Sequence, residues 1–197
     1  MAKIGVKYFR YSKLTEGTDT APYYAYNGAK SVGKAISCNV SITNNDAKLF
    51  ADDALAESDT SFQSGTATLG IDDEDLQTMA DLLGHEYDQE TNSIVRNAND
   101  TAPYVGFGRI ITKMVGGVYK YKLEILMKVK FSEPSQDDTT KGESVEFGTT
   151  EIEGTISTLT GSNSGFWSYA AIFDDLDAAV TALETFFAAP TTETNNG

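Results

Sequence analysis

The sequence predicts a mainly β (α+β) fold, a β-sandwich or partial barrel that carries two helices. Three observations lead there. From Ala35 the chain alternates, with Ile36, Cys38, Val40 and Ile42 on one face and Ser37, Asn39, Ser41 and Thr43 on the other. Between Tyr119 and Phe131 every second residue is apolar over an unusually long run. Only two segments, 73–83 and 174–188, space their apolar residues as a helix does.

Taken in order, residues 1–34 hold no steady period. They are rich in Thr, Gly, Ala and Tyr and read as an N-terminal arm with at most one short strand, either reaching a neighbour or folded on its own domain. The strand from Ala35 runs into residues 44–61, a long inter-strand loop. This loop sets Asp46, Asp52, Asp53, Glu57 and Asp59 against a single Lys48, yet keeps Leu49, Phe50 and Leu55, which a solvated loop does not need. Phe62 to Ile71 is a weaker strand. In "IDDEDLQTMADLLG", Asp72 or Asp73 is placed to cap a helix over 73–83. Leu76, Met79, Ala80 and Leu83 fall on one face, and Gly84 ends it.

"HEYDQETNSIVRN" reads as strand, turn, strand. Gly116 and Gly117 mark a hairpin turn. The strand after it sets Tyr119, Tyr121, Leu123, Ile125, Met127, Val129 and Phe131 on one face, and Lys120, Lys122, Glu124, Lys128 and Lys130 on the other. At ~3.3 Å per residue such a strand runs roughly 40 Å, beyond the usual ~17–20 Å, so it either bends or extends past its own domain. Past a polar acidic loop, Glu151 and Glu153 alternate with Ile152. An aromatic patch, Phe166, Trp167 and Tyr169, precedes the helix over 174–188, whose stripe is Phe173, Leu176, Val180, Leu183 and Phe187. Residues 190–197 read as a flexible tail, so the domain is expected to span 35–189.

The 197 residues suffice for one domain with a sizeable core. The start, with Lys3, Lys7 and Arg10 and no apolar run, is not expected to be a signal peptide, and no stretch is apolar enough to span a bilayer. The single cysteine, Cys38, excludes an internal disulfide and suits a reducing compartment. A net charge of -14 argues against ordinary nucleic-acid binding. Its distribution is uneven. Residues 1–44 carry six basic and two acidic side chains, 45–100 two and fourteen, 101–131 six and one, and 132–197 one and twelve. Blocks of alternating sign suit a molecule that meets copies of itself through unlike surfaces.

Catalytic chemistry has little to start from. His85, the only histidine, lacks a nearby nucleophile motif and reads as a capping or surface residue. Cys38 alternates with apolar residues and reads as core. "GFGR" (Gly106 to Arg109) lacks the third glycine of a dinucleotide loop and reads as strand glycine at a bend or close contact. "DDED" lacks calcium-loop spacing. Glu151 and Glu153 share a face, as in a paired-carboxylate site, but also as on any solvated strand. No enzyme activity, cofactor or metal is expected.

The segments "LFADDALAE" and "GTATLGIDDED", with the hairpin around Gly116 and the N-terminal "YFRYSKLTEG", resemble the major tail (tail tube) protein of long-tailed, non-contractile bacteriophages, over roughly residues 35–158. The resemblance implies a tail-tube-type β-sandwich flanked by a short helix, six of which form a ring. Each copy gives a sheet to a continuous inner barrel, and rings stack into the tube through which DNA reaches the host. It implies that residues 44–61 stack rings, with Leu49, Phe50 and Leu55 docking and Asp52, Asp53, Glu57 and Asp59 meeting basic surface. Ser37, Asn39, Ser41, Glu151 and Glu153 become candidates for the lumen wall. Partners would be further copies, a tape measure protein, a tail terminator and baseplate or distal tail proteins. DNA would be transient cargo, no membrane would be involved, and the site would be the virion, assembled in the bacterial cytoplasm. Two alternatives stand beside this: a tube or terminator protein of a related injection or secretion device, and a monomeric ligand-binding β-sandwich using Phe166, Trp167 and Tyr169.

Overall fold

The computed structural model is mainly β, 59% strand and 13% helical, and describes residues 2–16, 24–51, 54–72, 75–135, 149–161 and 164–188, with backbone alone at 49–51 and 54–56. In chain order the strands are β1 (Ala2–Glu16), β2 (Tyr24–Tyr26), β3 (Lys30–Gly33), β4 (Ala35–Asn44), β5 (Ala47–Ala51), β6 (Ala54–Asp59) and β7 (Phe62–Ile71). After helix α1 (Leu76–Leu83) come β8 (Glu86–Asp88), β9 (Ser93–Val95), β10 (Val105–Val115), β11 (Val118–Phe131), β12 (Thr150–Ser157) and β13 (Ser168–Phe173), then helix α2 (Leu176–Phe186). The fold is mainly β with two helices, as the alternation predicts.

One nine-stranded antiparallel sheet runs in the order β2-β1-β10-β11-β12-β7-β4, with β13 beside the first half of β11 and β3 beside β1. It curls around a core that draws Phe9 and Tyr11 from β1, Phe107 from β10, Val129 and Phe131 from β11, Ile152 from β12 and Leu69 from β7, closed at one end by Met79 and Leu82 of α1. A second cluster lies on the outer side, where Leu183 of α2 and Phe187 at its end cover Ile110, Leu123 and Ile125.

The long strand bends. Val105 pairs with Val129 but Phe107 with Leu126, so β11 carries one extra residue at Met127–Lys128. Ahead of this bulge, Leu123 and Ile125 face α2; beyond it, Val129 and Phe131 face the core. The predicted single apolar face is therefore two faces, and the lysines divide likewise. Opposite the bulge, Gly106 leaves room that a side chain would fill. A Cβ there would lie 2.5 Å from Tyr26 Cε1 and 2.7 Å from Phe187 Cε1. At Gly108 it would lie 2.4 Å from Leu183 Cδ1. The "GFGR" glycines are close-contact glycines, as read. Gly116 and Gly117 turn the hairpin, both with positive φ (59° and 84°).

Residues 1–34 are more than an arm. Of the two possibilities, they fold on their own domain: β1 pairs with β10 from Ala2 to Lys13, and Phe9 and Tyr11 are 0% and 1% exposed. Two register shifts, one with Tyr8 at φ 55°, hide the period that would have marked the strand. Residues 17–23, within that stretch, lie outside the described residues. The domain thus begins near residue 2 and not at 35.

Helix α1 starts later than 73. Its cap is Asp75, which accepts from Thr78 N at 2.9 Å; residues 73 and 74 lie outside the described residues. Asp72 accepts instead from Lys34 N at 2.8 Å. Gly84 ends the helix at φ 80°. Likewise α2 is shorter than 174–188. Asp175 caps it by accepting from Ala178 N, while Asp174 pairs with Lys120. The 190–197 tail lies outside the described residues.

Three substitutions check this packing. Phe9→Ala should lower the unfolding free energy by ~3–5 kcal/mol, as for a core aromatic; a dangling arm would leave the denaturant midpoint unchanged. Gly106→Ala should cost ~1–3 kcal/mol by overpacking, whereas Gly5→Ala, with nothing within 4 Å of its Cβ, should leave thermal unfolding nearly unmoved.

Candidate assembly surfaces

The curled sheet leaves part of its outer side bare. Where β4, β7 and β12 run together, residues pair in rows: Ser37 with Gly70 and Glu151, Asn39 with Thr68 and Glu153, Ser41 with Thr66 and Thr155. All five wall candidates, Ser37, Asn39, Ser41, Glu151 and Glu153, share this face and are exposed. Their neighbours along each strand, among them Leu69, Ile152 and Ile156, point the other way into the core. The face is short-chained, because Ser, Thr and Asn occupy nearly every outward position.

Beyond the bulge, β11 adds Lys130 opposite Thr155 and Lys128 opposite Ser157. The face is therefore not purely anionic. Lys128 is spent internally: it donates to Glu16 at 2.5 Å and lies 4.5 Å above the Tyr104 ring. Burial raises the Glu16 carboxyl, but its bonds from Lys128 and Thr160 outweigh that and hold it below the usual range. Lys130 sits over the same ring at 5.5 Å, without a carboxylate partner among the described residues. Two carboxylates against one open lysine make a weakly acidic, mostly neutral wall.

Residues 44–61 are a β-hairpin and not a plain loop. Strands β5 and β6 pair with each other and stand apart from the main sheet. Its base is pinned where Asn45 N donates to Ser61 O and Ser61 N donates to Asp59, which holds the Asp59 carboxyl below its ordinary pKa. Glu57 and Asp59 are exposed. Asp52 and Asp53, and the side chains of Leu49, Phe50 and Leu55, lie outside the described residues.

The aromatic patch does not form one platform. Trp167 stacks on Phe62 with ring centroids 4.7 Å apart, and Tyr169 stacks on Phe186 at 5.3 Å. Phe166 and Tyr169 remain exposed, at separate places.

His85 helps to cap α1, its backbone N donating to Ala80 O at 3.1 Å, but its ring is not a surface group. Its side chain is 6% exposed, with Nδ1 at 2.7 Å from Asp100 and Nε2 against Glu133. An ionised carboxylate only accepts, so a ring bonded to two of them carries both protons. Burial disfavours that charge, but Asp100 and Glu133 outweigh it and raise the His85 pKa above its ordinary value. The ring thus ties the end of α1 to residues 97–100 and to the segment leaving β11. The partners lie 15 and 48 positions away, so no local motif announces them. A similar hub joins α1 to the N-terminal strands, where Asp81 accepts from Tyr11, Lys13 and Lys30. Among the described residues no His, Cys, Asp and Glu cluster is arranged to hold a metal ion, and no helix is long and apolar enough to cross a membrane.

A scan against protein-family models matches none, and no curated protein matches the chain.

The His85 bridge has a signed pH dependence. A raised folded pKa means its stabilisation is full below the unfolded value of ~6.5 and is lost as pH rises through the folded pKa. The melting temperature of the wild type should exceed that of His85→Gln most near pH 6, and the gap should close at alkaline pH. A gap independent of pH would mean the ring is neutral.

Proposed function

We propose that the chain is a structural subunit of a phage tail tube, forming hexameric rings that stack into a conduit for DNA and acting without catalysis or cofactor. The observation that carries this reading is the bare outer face of β4, β7 and β12. It presents short neutral side chains and two carboxylates where a monomeric sandwich has no need of such uniformity. Phosphates would find few cations there, and DNA held by few contacts slides freely.

The strand arrangement supports closure into a ring. Among the described residues β4 ends the sheet with an unpaired edge ten residues long, a surface that isolated proteins usually protect and that a neighbour's strand can complete. If each of six copies gave β4, β7, β12 and the end of β11, the ring would hold ~24 strands. Barrels of 16–18 strands already leave an aqueous channel, so ~24 leave a wider one. Further copies would be the main partners, with a tape measure protein, a tail terminator and distal tail proteins at the ends, in a virion assembled in the bacterial cytoplasm.

Electron microscopy of the purified chain, alone and with its tail-initiating proteins, tests the assembly directly: tubes of stacked rings are expected, and a strict monomer under both conditions sinks the proposal. In assembled particles, Glu151→Lys with Glu153→Lys should slow DNA release, most at low salt where screening is weakest. Unchanged release would place these side chains away from the channel.

A further inference from the structure

Where α1 ends, the turn at 96–102 and the exit of β11 border a cavity of about 500 Å³. His85, Arg96, Asp100 and Glu133 line it, with Leu83 and Phe131 as its apolar part. The imidazole joins two of its sides. Nδ1 meets Asp100 in the turn, and Nε2 meets Glu133 in the segment leaving β11. The two carboxylates are not held alike. Asp100 also accepts from Asn97 N at 2.8 Å, and its side chain is 22% exposed. That of Glu133 is 51% exposed, and its other oxygen lies 3.8 Å from Arg96 Nε.

Among the described residues, the other ionisable groups on the surrounding elements are committed elsewhere or exposed. Asp81 of α1 accepts from Tyr11, Lys13 and Lys30. In β8, Tyr87 donates to Asn92, Asp88 accepts from Glu90 N and Thr91, and Glu86 is exposed. Lys130 of β11 lies over Tyr104, and Glu153 of β12 is exposed on the outer wall. Asp100, Glu133 and Arg96 therefore decide the state of the ring. A charged imidazole satisfies both carboxylates, each through an N–H. A neutral one keeps a single N–H, and its lone pair set against an ionised carboxylate repels it. One contact must then break. Asp100 has a second bond to hold it in place, whereas Glu133 has an arginine within reach.

We propose that His85 and Glu133 form a proton-operated latch on this cavity. The charged ring holds Glu133 and ties the exit of β11 to the end of α1; loss of the ring proton sends Glu133 to Arg96 and frees that exit. The turn stays on the helix end, where a Cβ at Gly84 would lie 2.3 Å from Thr101 O. What loosens is 131–135, otherwise anchored by Ser132 N donating to Glu153 O at 2.9 Å. Burial disfavours the ring's charge, but Asp100 and Glu133 outweigh it. The latch is thus closed below the folded pKa and opens as pH rises through it, above ~6.5. It operates within one copy and does not rest on the tube reading.

His85 is the only histidine, so its ring signals in proton NMR titrate without ambiguity. The wild-type midpoint should lie above ~6.5. Glu133→Gln should lower it, and Arg96→Gln, which removes the arginine that receives Glu133, should raise it. Amide hydrogen exchange, corrected for the intrinsic effect of pH, reads the opening. Protection of 131–135 should fall relative to that of β7 by on the order of tenfold across the titration. In Glu133→Gln it should be low at every pH. A midpoint at or below ~6.5, an Arg96→Gln midpoint equal to that of the wild type, or protection of 131–135 that ignores the titration would each overturn the latch. A fall shared equally by β7 would also overturn it, since the ring would then act on global stability alone.

Discussion

One extra residue in β11, at Met127–Lys128, decides which side of the sheet every later side chain meets. A shift of one residue exchanges the two faces of a strand. Without the bulge, Val129 and Phe131 would point outward and Lys128 and Lys130 into the core, where a charge without a partner costs several kcal/mol. The bulge is held by its surroundings. Tyr26 donates its hydroxyl to Met127 O at 2.8 Å from a buried position, and the ring occupies the space that Gly106 leaves open. Phe187 packs edge-on against Tyr26 at 5.0 Å, so α2 and β2 clamp the same point from the outer side. The bare wall of β4, β7 and β12 exists because α2 covers only the strands on its own side of this bulge.

That dependence also marks what the amino acids alone could disclose. Period-two alternation in β4 and β12 reports faces correctly, since each strand needs only its own pattern, and the five wall candidates do share one surface. Their adjacency rests on β4 and β12 both pairing with β7, contacts between distant segments that no local pattern encodes. The alternation in β11 is equally regular but misleads, because apolar residues hold the same alternate positions on both sides of the bulge, packing under α2 before it and in the core after it. β1 fails in the opposite sense. Its register shifts break the period, so a strand at the heart of the sheet resembles an irregular arm. His85 was opaque for a third reason: Asp100 and Glu133 become its partners only through the path of the chain.

Electrostatics ties these features together. A chain of net charge -14 repels its copies at long range, so association needs cations that are concentrated and uncommitted. Most of the basic side chains are already engaged within the fold: Lys13 and Lys30 on Asp81, Arg109 and Lys122 on Glu124, Lys128 on Glu16. Glu124 shows the consequence. Burial raises its carboxyl, yet the bonds from Lys122 and Arg109 hold it below the usual range, so both cations are spent locally. The open ones are sorted by face. Lys130 edges the outer wall, where a lone cation among Ser, Thr and Glu leaves the surface weakly acidic. Lys3 and Lys113 sit together on the inner face beside exposed isoleucines. The same sheet thus keeps one side poor in accessible cations and sets the Lys3–Lys113 pair on the other. Under the tube proposal a cation-poor wall is what DNA slides past, and a sheet whose two faces alternate residue by residue can carry that wall on one side and its core on the other.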